Sequence, residues 1–224
     1  MGFWIIIGVF AVIGMFVQNK LKSKFKKYSM QPLSSGMSGK EIAEAMLQHY
    51  GIDDVQVVQG EGRLTDHYNP QTKTVALSPE VYQGRSIASA SVAAHECGHA
   101  VQHDTQYSML QLRSGLVPIV KIAASAQQYL FIGAIFLMGS FPQLMMIAII
   151  AFVITTIFSL VTLPVEFDAS RRALAWLDET GMTRPGPEYD GAKDALHWAA
   201  MTYVVAALSA IAMLLYLVLN FASR

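Results

Sequence analysis

Residues 86–103 read SIASASVAAHECGHAVQH, and His95, Glu96 and His99 make an H-E-x-x-H sequence inside a stretch with helical character. Positions i and i+4 of a helix share one face, so both imidazoles can reach one Zn²⁺ while Glu96 comes close enough to polarise a water on the ion. That is the chemistry of a metallopeptidase. Ile87, Val92, Ala94 and Val101 suit apolar neighbours, whereas Ser86, Ser89, Ser91 and Gln102 are assigned to wetter positions. The stretch is rich in Ser and Ala and carries His and Glu, so it is not read as a membrane span. Cys97, one residue after Glu96, points away from the metal face and reads as a packing residue, and Gly98 fits either a close approach of another backbone or merely a tight helix contact.

The rest of the chain looks membrane-bound. Of its 224 residues, 53% are apolar and 14% charged, with a formal net charge of zero. These values lie above and below those of soluble domains and give no basis for nucleic-acid binding. Residues 3–17 form an uncharged apolar run followed by Lys20, Lys22, Lys24, Lys26 and Lys27, a basic flank that also suits anionic lipid. Further apolar segments lie at about 116–138, 143–164 and 199–221, and Gly139–Pro142 reads as a turn that makes the middle two a helical hairpin. Of the 16 Lys and Arg, ten lie between residues 18 and 113 and four between 165 and 198. The positive-inside rule then puts both polar regions in the cytoplasm and the N-terminus outside.

The expected architecture is a mainly α membrane protein with about four transmembrane helices and a small α+β catalytic domain. It divides into an anchor with its basic flank (1–27), a cytoplasmic catalytic region (28–113), a transmembrane hairpin (114–164), a cytoplasmic segment (165–198) and a last transmembrane helix (199–224). Within the catalytic region, Ser38-Gly39-Lys40-Glu41 is a capping-box pattern opening an amphipathic helix over about 38–50, stopped by Gly51. Val55–Gln59 reads as a short strand, and Arg63–Tyr68 and Lys73–Leu77 flank a β-turn at Asn69-Pro70-Gln71-Thr72. Such a unit either offers a strand edge to an extended peptide or simply covers the metal helix. Ser78-Pro79-Glu80 looks like a capped start of another short helix.

A catalytic zinc needs three protein ligands and one open position. Besides His95 and His99, the candidates for the third are Glu166, Asp168, His103, His67, His49 and His197. His103 lies on the same straight helix and approaches from the same direction, so a side chain from a separate element is preferred. Glu166 and Asp168 follow the third apolar segment, and the hairpin returns them to the membrane face of the histidines. If that segment is helical the two point about 200° apart, so only one of them can be a ligand. The competing reading pairs them with Arg171 or Arg172 at the membrane interface.

His95-Glu96-Cys97-Gly98-His99, Glu166-Phe167-Asp168-Ala169-Ser170, the upstream Thr65-Asp66-His67-Tyr68-Asn69-Pro70 and Leu77-Ser78-Pro79, with the four-span layout, resemble the YugP-like neutral zinc metallopeptidases of bacteria. These are similar in turn to HtpX-type and CAAX-prenyl-type membrane endopeptidases. The resemblance implies a zincin-like, gluzincin-type catalytic domain in a bacterial inner membrane, one Zn²⁺, a peptide or protein substrate and Glu166 as third ligand. In the larger group the acidic partner follows in an E-x-x-x-D-like arrangement, whereas here it stands two residues on, at Asp168.

In the expected mechanism Glu96 is the general base and acid, and Tyr203, His197 and His67 are candidates for steadying the oxyanion. Tyr203 equally suits an interfacial aromatic on the last span. The alternative to an enzyme is a non-catalytic membrane scaffold with a retained zinc site.

Overall fold

The computed structural model describes residues 2–62, 64–137 and 143–222, with the side chains of 128 and 131–137 left aside. Arg63 and the expected Gly139–Pro142 turn lie outside the described residues. The order of elements is α1 (Gly2–Ser29), α2 (Gly39–His49), β1 (Gln56–Gln59), β2 (His67–Asn69), β3 (Thr74–Leu77), α3 (Pro79–Tyr82), α4 (Ile87–Asp104), α5 (Ser108–Leu137), α6 (Gln143–Glu179) and α7 (Pro187–Ala222).

The protein is mainly helical with one small sheet. Among the described residues α1, α6 and α7 are long and apolar enough to cross a membrane. They present Trp4, Val12 and Phe16, Ile147 and Ile150, and Leu215 and Leu219 outward, as a lipid-facing surface does. The segment expected to span at 116–138 belongs to α5, whose later side chains are outside the described set.

Three helices run further than the apolar pattern alone predicts. α1 continues through the lysine run to Ser29, where Lys24 pairs with Asp194 of α7 at 2.6 Å and the Tyr28 hydroxyl donates to the same carboxylate at 2.6 Å. The basic flank is therefore also a packing element. α6 passes through Pro164 without ending, and α7 starts at Pro187, well before its apolar stretch. Proline removes one backbone donor, yet long membrane helices tolerate it when neighbours hold the two halves in line.

The small domain follows its local signals more closely. Ser38 and Glu41 close the capping box of α2, with the Ser38 amide donating to the Glu41 carboxylate at 2.7 Å and the Glu41 amide to the Ser38 hydroxyl at 3.3 Å. Gly51, with φ of +68°, ends the helix in a conformation glycine adopts without strain. The sheet has the order β1-β3-β2, with β1 parallel and β2 antiparallel to β3, so β2 is an edge strand. Pro79 opens α3, but the Ser78 hydroxyl makes no cap and is held instead by the Asp66 carboxylate at 3.0 Å.

The core gathers Ile42, Met46 and Leu47 of α2, Val75 and Leu77 of β3, Ile87, Cys97 and Val101 of α4, and Trp176 and Leu177 of α6. α4 is buried on nearly every side, which corrects the wetter placement of its polar residues: Ser91 and Gln102 are both 0% exposed. Buried polar groups require partners. Ser91 finds one within its own helix, donating to the Ile87 carbonyl at 2.7 Å.

α4 and α6 meet at Gly98. A Cβ built there would lie 2.6 Å from the Ala169 carbonyl oxygen, inside van der Waals contact with backbone that cannot turn aside. Gly98→Ala is expected to destabilise the protein by about 1–3 kcal/mol, the usual range for overpacking, read as a lower melting temperature of the detergent-solubilised chain.

Candidate metal centre

The approach at Gly98 sets α6 against the histidine face of α4. Glu166 precedes Ala169 by almost one turn and Ser170 follows it, so Glu166 and Ser170, at i and i+4, share the stripe turned toward His95 and His99. Glu166 Oε2 lies 3.3 Å from His95 Nε2 and 3.7 Å from His99 Nε2. One ligand atom from each of the three residues falls within 4.8 Å of the others, the only such group among the described residues.

Three features fit this set to a metal ion. The Glu166 residue is 2% exposed, and its Oε2 has no hydrogen-bond partner among the described residues, so a bare buried carboxylate oxygen faces the two imidazoles. Both rings are also held by their other nitrogens: His99 Nδ1 meets Gln102 Oε1 at 3.0 Å, and His95 Nδ1 meets the Ser170 hydroxyl at 3.1 Å. Engaging Nδ1 leaves Nε2 free for a cation, the usual second layer around a metal-binding histidine. Lastly, burial works against a charged His99, yet the Glu166 and Glu96 carboxylates with Gln102 raise its pKa above the ordinary histidine value. The site favours positive charge. Residues of this kind, nitrogen and carboxylate donors in a three-ligand set, suit Zn²⁺ with a position left for water.

Gln102 determines more than its own burial. Its amide nitrogen donates to the Val165 carbonyl at 2.8 Å and to Asp168 Oδ2 at 2.9 Å, so its oxygen is turned to His99 and can only accept. His99 must then carry its proton on Nδ1. Asp168, turned well away from Glu166 as helical geometry requires, takes Arg172 at 2.6 Å and also Arg171. For Asp168 the arginine pairing holds and the Gln102 contact adds to it; Glu166 pairs with neither Arg171 nor Arg172 and instead faces Arg113, whose Nη2 lies 3.7 Å from its Oε1.

Of the other candidates, Tyr203 of α7 stands in the same neighbourhood, with Glu166, Glu96 and Arg113 as its charged neighbours. His197 stands six residues earlier, about 240° around the helix. It is exposed, packs edge-on against Trp198 and lines a cleft between α6 and α7, so the structure does not bring it to the histidine pair. His67 is exposed on β2 and meets the Thr65 carbonyl at 2.7 Å. His103 bonds the Tyr68 hydroxyl at 2.7 Å, and His49 is exposed at the end of α2. Cys97 is fully buried beside the Ala43 carbonyl, and burial, with the Glu96 charge, pushes its thiol far up, so it stays protonated.

Three residues of the site escaped the sequence reading: Gln102, Ser170 and Arg113. Gln102 stands three residues after His99, beside its partner on one helix face, and Ser170 stands four after Glu166, on the same stripe turned to the histidines, so a signal existed. Arg113 has none, because only tertiary packing of α5 brings it to Glu166.

With this geometry in view, comparison with known proteins gives a family. A family profile described as "Putative neutral zinc metallopeptidase" matches residues 3–222, and the chain belongs to that family. A curated relative, "Putative membrane protease YugP" of Bacillus subtilis (strain 168), is 44% identical over 209 residues, covering 93% of this chain and 92% of the relative. No solved structure matches.

Replacing Gln102 with Leu keeps its bulk but removes the acceptor for His99. The expected result is a 10- to 100-fold loss of zinc affinity, of the order found for residues behind a ligand, measured by competition with a chromogenic chelator.

Proposed function

We propose that the protein is a membrane-embedded zinc endopeptidase in which His95, His99 and Glu166 hold one Zn²⁺ and Glu96 moves the protons. The observation that carries this reading is the meeting of three ligand atoms around an unpartnered, buried carboxylate oxygen, with Glu96 on the adjacent turn position. Family membership and the membrane protease relative support it.

Zinc bound there supplies a Lewis acid that brings the pKa of a water toward ~7 and polarises the scissile carbonyl. Glu96 is not part of the ligand set; it accepts the water proton as the oxygen attacks and returns it to the leaving amine. Its burial on α4 limits competing solvent, and we assign the Tyr203 hydroxyl as a donor to the developing oxyanion. We read two histidines of one helix with a glutamate of a second as a gluzincin-like arrangement, and a helix backed by a small sheet as a zincin-like domain.

We assign part of a polypeptide substrate to a cleft of about 700 Å³ bordered by Tyr68 and Pro70 beside β2, His103 of α4 and Leu110, Gln111 and Ser114 of α5; the metal-site residues do not line it, so a peptide held there meets them only by extending beyond the cleft. The free edge of β2 adds main-chain groups that an extended peptide could pair with. Counting the apolar part of α5 with α1, α6 and α7 gives four membrane crossings, and the basic residues at the span ends orient the site to the cytoplasm of a bacterium, at its inner membrane. Membrane lipid surrounds the apolar helices.

Glu96→Gln separates the proton carrier from the ligands. The purified variant is expected to keep about one zinc per chain, by elemental analysis, while casein cleavage falls by roughly 10²–10⁴, the range for general acid–base catalysis. Unchanged cleavage refutes the assignment.

A further inference from the structure

Among the described residues, Arg113 is the one cation beside the ligand set with no hydrogen bond or closer ion pair elsewhere. It sits near the start of α5, and its Nη2 is 3.7 Å from Glu166 Oε1, close enough for attraction but longer than a hydrogen bond. Nε is buried and, among the described residues, has no hydrogen-bond partner. An orphaned buried donor is unusual in a folded protein, and a bound acceptor relieves it. The side chain as a whole is 30% exposed, so it is not sealed off from a ligand. Gln111 and Ser114 of the same helix line the cleft assigned above to the substrate, whereas Arg113 is turned from that lining toward Glu166.

The reaction itself states what such a group would do. As the water oxygen bonds to the carbonyl carbon, its proton goes to Glu96 and the C=O π pair moves onto the carbonyl oxygen. One negative charge thus travels from Glu96 to the substrate. When the C–N bond breaks, its electron pair leaves with nitrogen, Glu96 returns the proton there, and a carboxylic acid and an amine result. Glu96 starts this sequence among two carboxylates, and a fixed cation near the charge's destination favours the transfer. A guanidinium keeps its charge at any working pH and offers several donors in one plane.

We propose that Arg113 is a catalytic residue of this reaction, donating from its guanidinium to the substrate oxygen on which negative charge develops; the proposal rests on the peptidase reading above. Tyr203 is a neutral neighbour in the same region; among the described side chains beside Glu166, Arg113 is the one with a permanent positive charge.

The test uses the full-length protein in detergent, with fluorescently labelled casein as substrate and a phosphinic dipeptide as an anionic mimic of the tetrahedral adduct. Arg113→Gln is expected to keep about one zinc with affinity within a few-fold of wild type, to lose about 10²–10³ in kcat with little change in KM, and to bind the phosphinic dipeptide weaker by a similar factor. Arg113→Lys, which keeps the charge without the planar fork, should fall between the two; it carries the test if the glutamine variant does not fold. An unchanged kcat overturns the proposal. So does a loss of zinc affinity that accounts for the whole loss of activity, with phosphinic binding unchanged per zinc-loaded molecule, because Arg113 would then only position Glu166. If the zinc-loaded wild type cleaves neither casein nor a peptide library, the peptidase reading fails and this proposal with it, an outcome distinct from both of the others.

Discussion

The close contact of α4 and α6 at Gly98 is the constraint on which the site depends. The Ala169 carbonyl occupies the space a side chain would take, and that approach lets a short carboxylate on α6 touch imidazoles on α4. Gln102, one turn beyond Gly98, ties the same two helices by taking the Val165 carbonyl. Val165 lies in the middle of α6, so a glutamine buried on the facing helix that donates to its carbonyl both satisfies its own amide and fixes the register of α6. Backbone packing, side-chain bonding and ligand direction are here one arrangement, and a shift of α6 along its axis would disturb all three.

Electrostatics gives that arrangement its meaning. Burying a carboxylate costs several kcal/mol unless charge or hydrogen bonds compensate it, and the Oε2 atom of Glu166 has no hydrogen bond among the described residues. Arg113 attends only the other oxygen, and at a distance too long for a hydrogen bond. A carboxylate oxygen, two imidazole nitrogens with their opposite edges held, and a second carboxylate at Glu96 together make a pocket that a divalent cation stabilises. In such a site metal binding and folding are coupled, since the unfolded chain holds no comparable set of donors.

Much of this was legible in the sequence, for reasons that differ by element. The capping box at Ser38 and Glu41, the stop at Gly51 and the hairpin around Asn69 are set by a few adjacent residues and form where local chemistry places them. The meeting of the 95–99 pair with Glu166 was expected on the reading that a two-crossing hairpin would return the chain to its starting side, and the structure brings the three side chains together. Helix ends were less readable. Pro164 and the change from apolar to charged residues mark the edge of a membrane span but not the end of a helix, and the lysine run of α1 stays helical because Asp194 and Tyr28 hold it against α7. The serines and Gln102 of α4 look like surface residues by type; their burial follows from helices packing around α4 on all sides, which no window of sequence reports.

Arg113 and Tyr203 extend that last point from packing to chemistry. One comes from α5 and the other from α7, so the groups around the metal ligands belong to four helices, three of which continue into apolar stretches. Their relative positions are fixed where those helices pair: Gln127 of α5 donates to Thr155 of α6 at 3.1 Å, and Thr155 is itself bonded to its own helix. A polar pair between long apolar helices has few competing partners, so it specifies register more than it adds stability. The distance between Arg113 and Glu166 is consequently set from below as well as from within the small domain. A soluble fragment containing the H-E-x-x-H helix and the sheet would keep the two histidines and Glu96, yet it would lack the carboxylate, the guanidinium and the phenol that complete their surroundings.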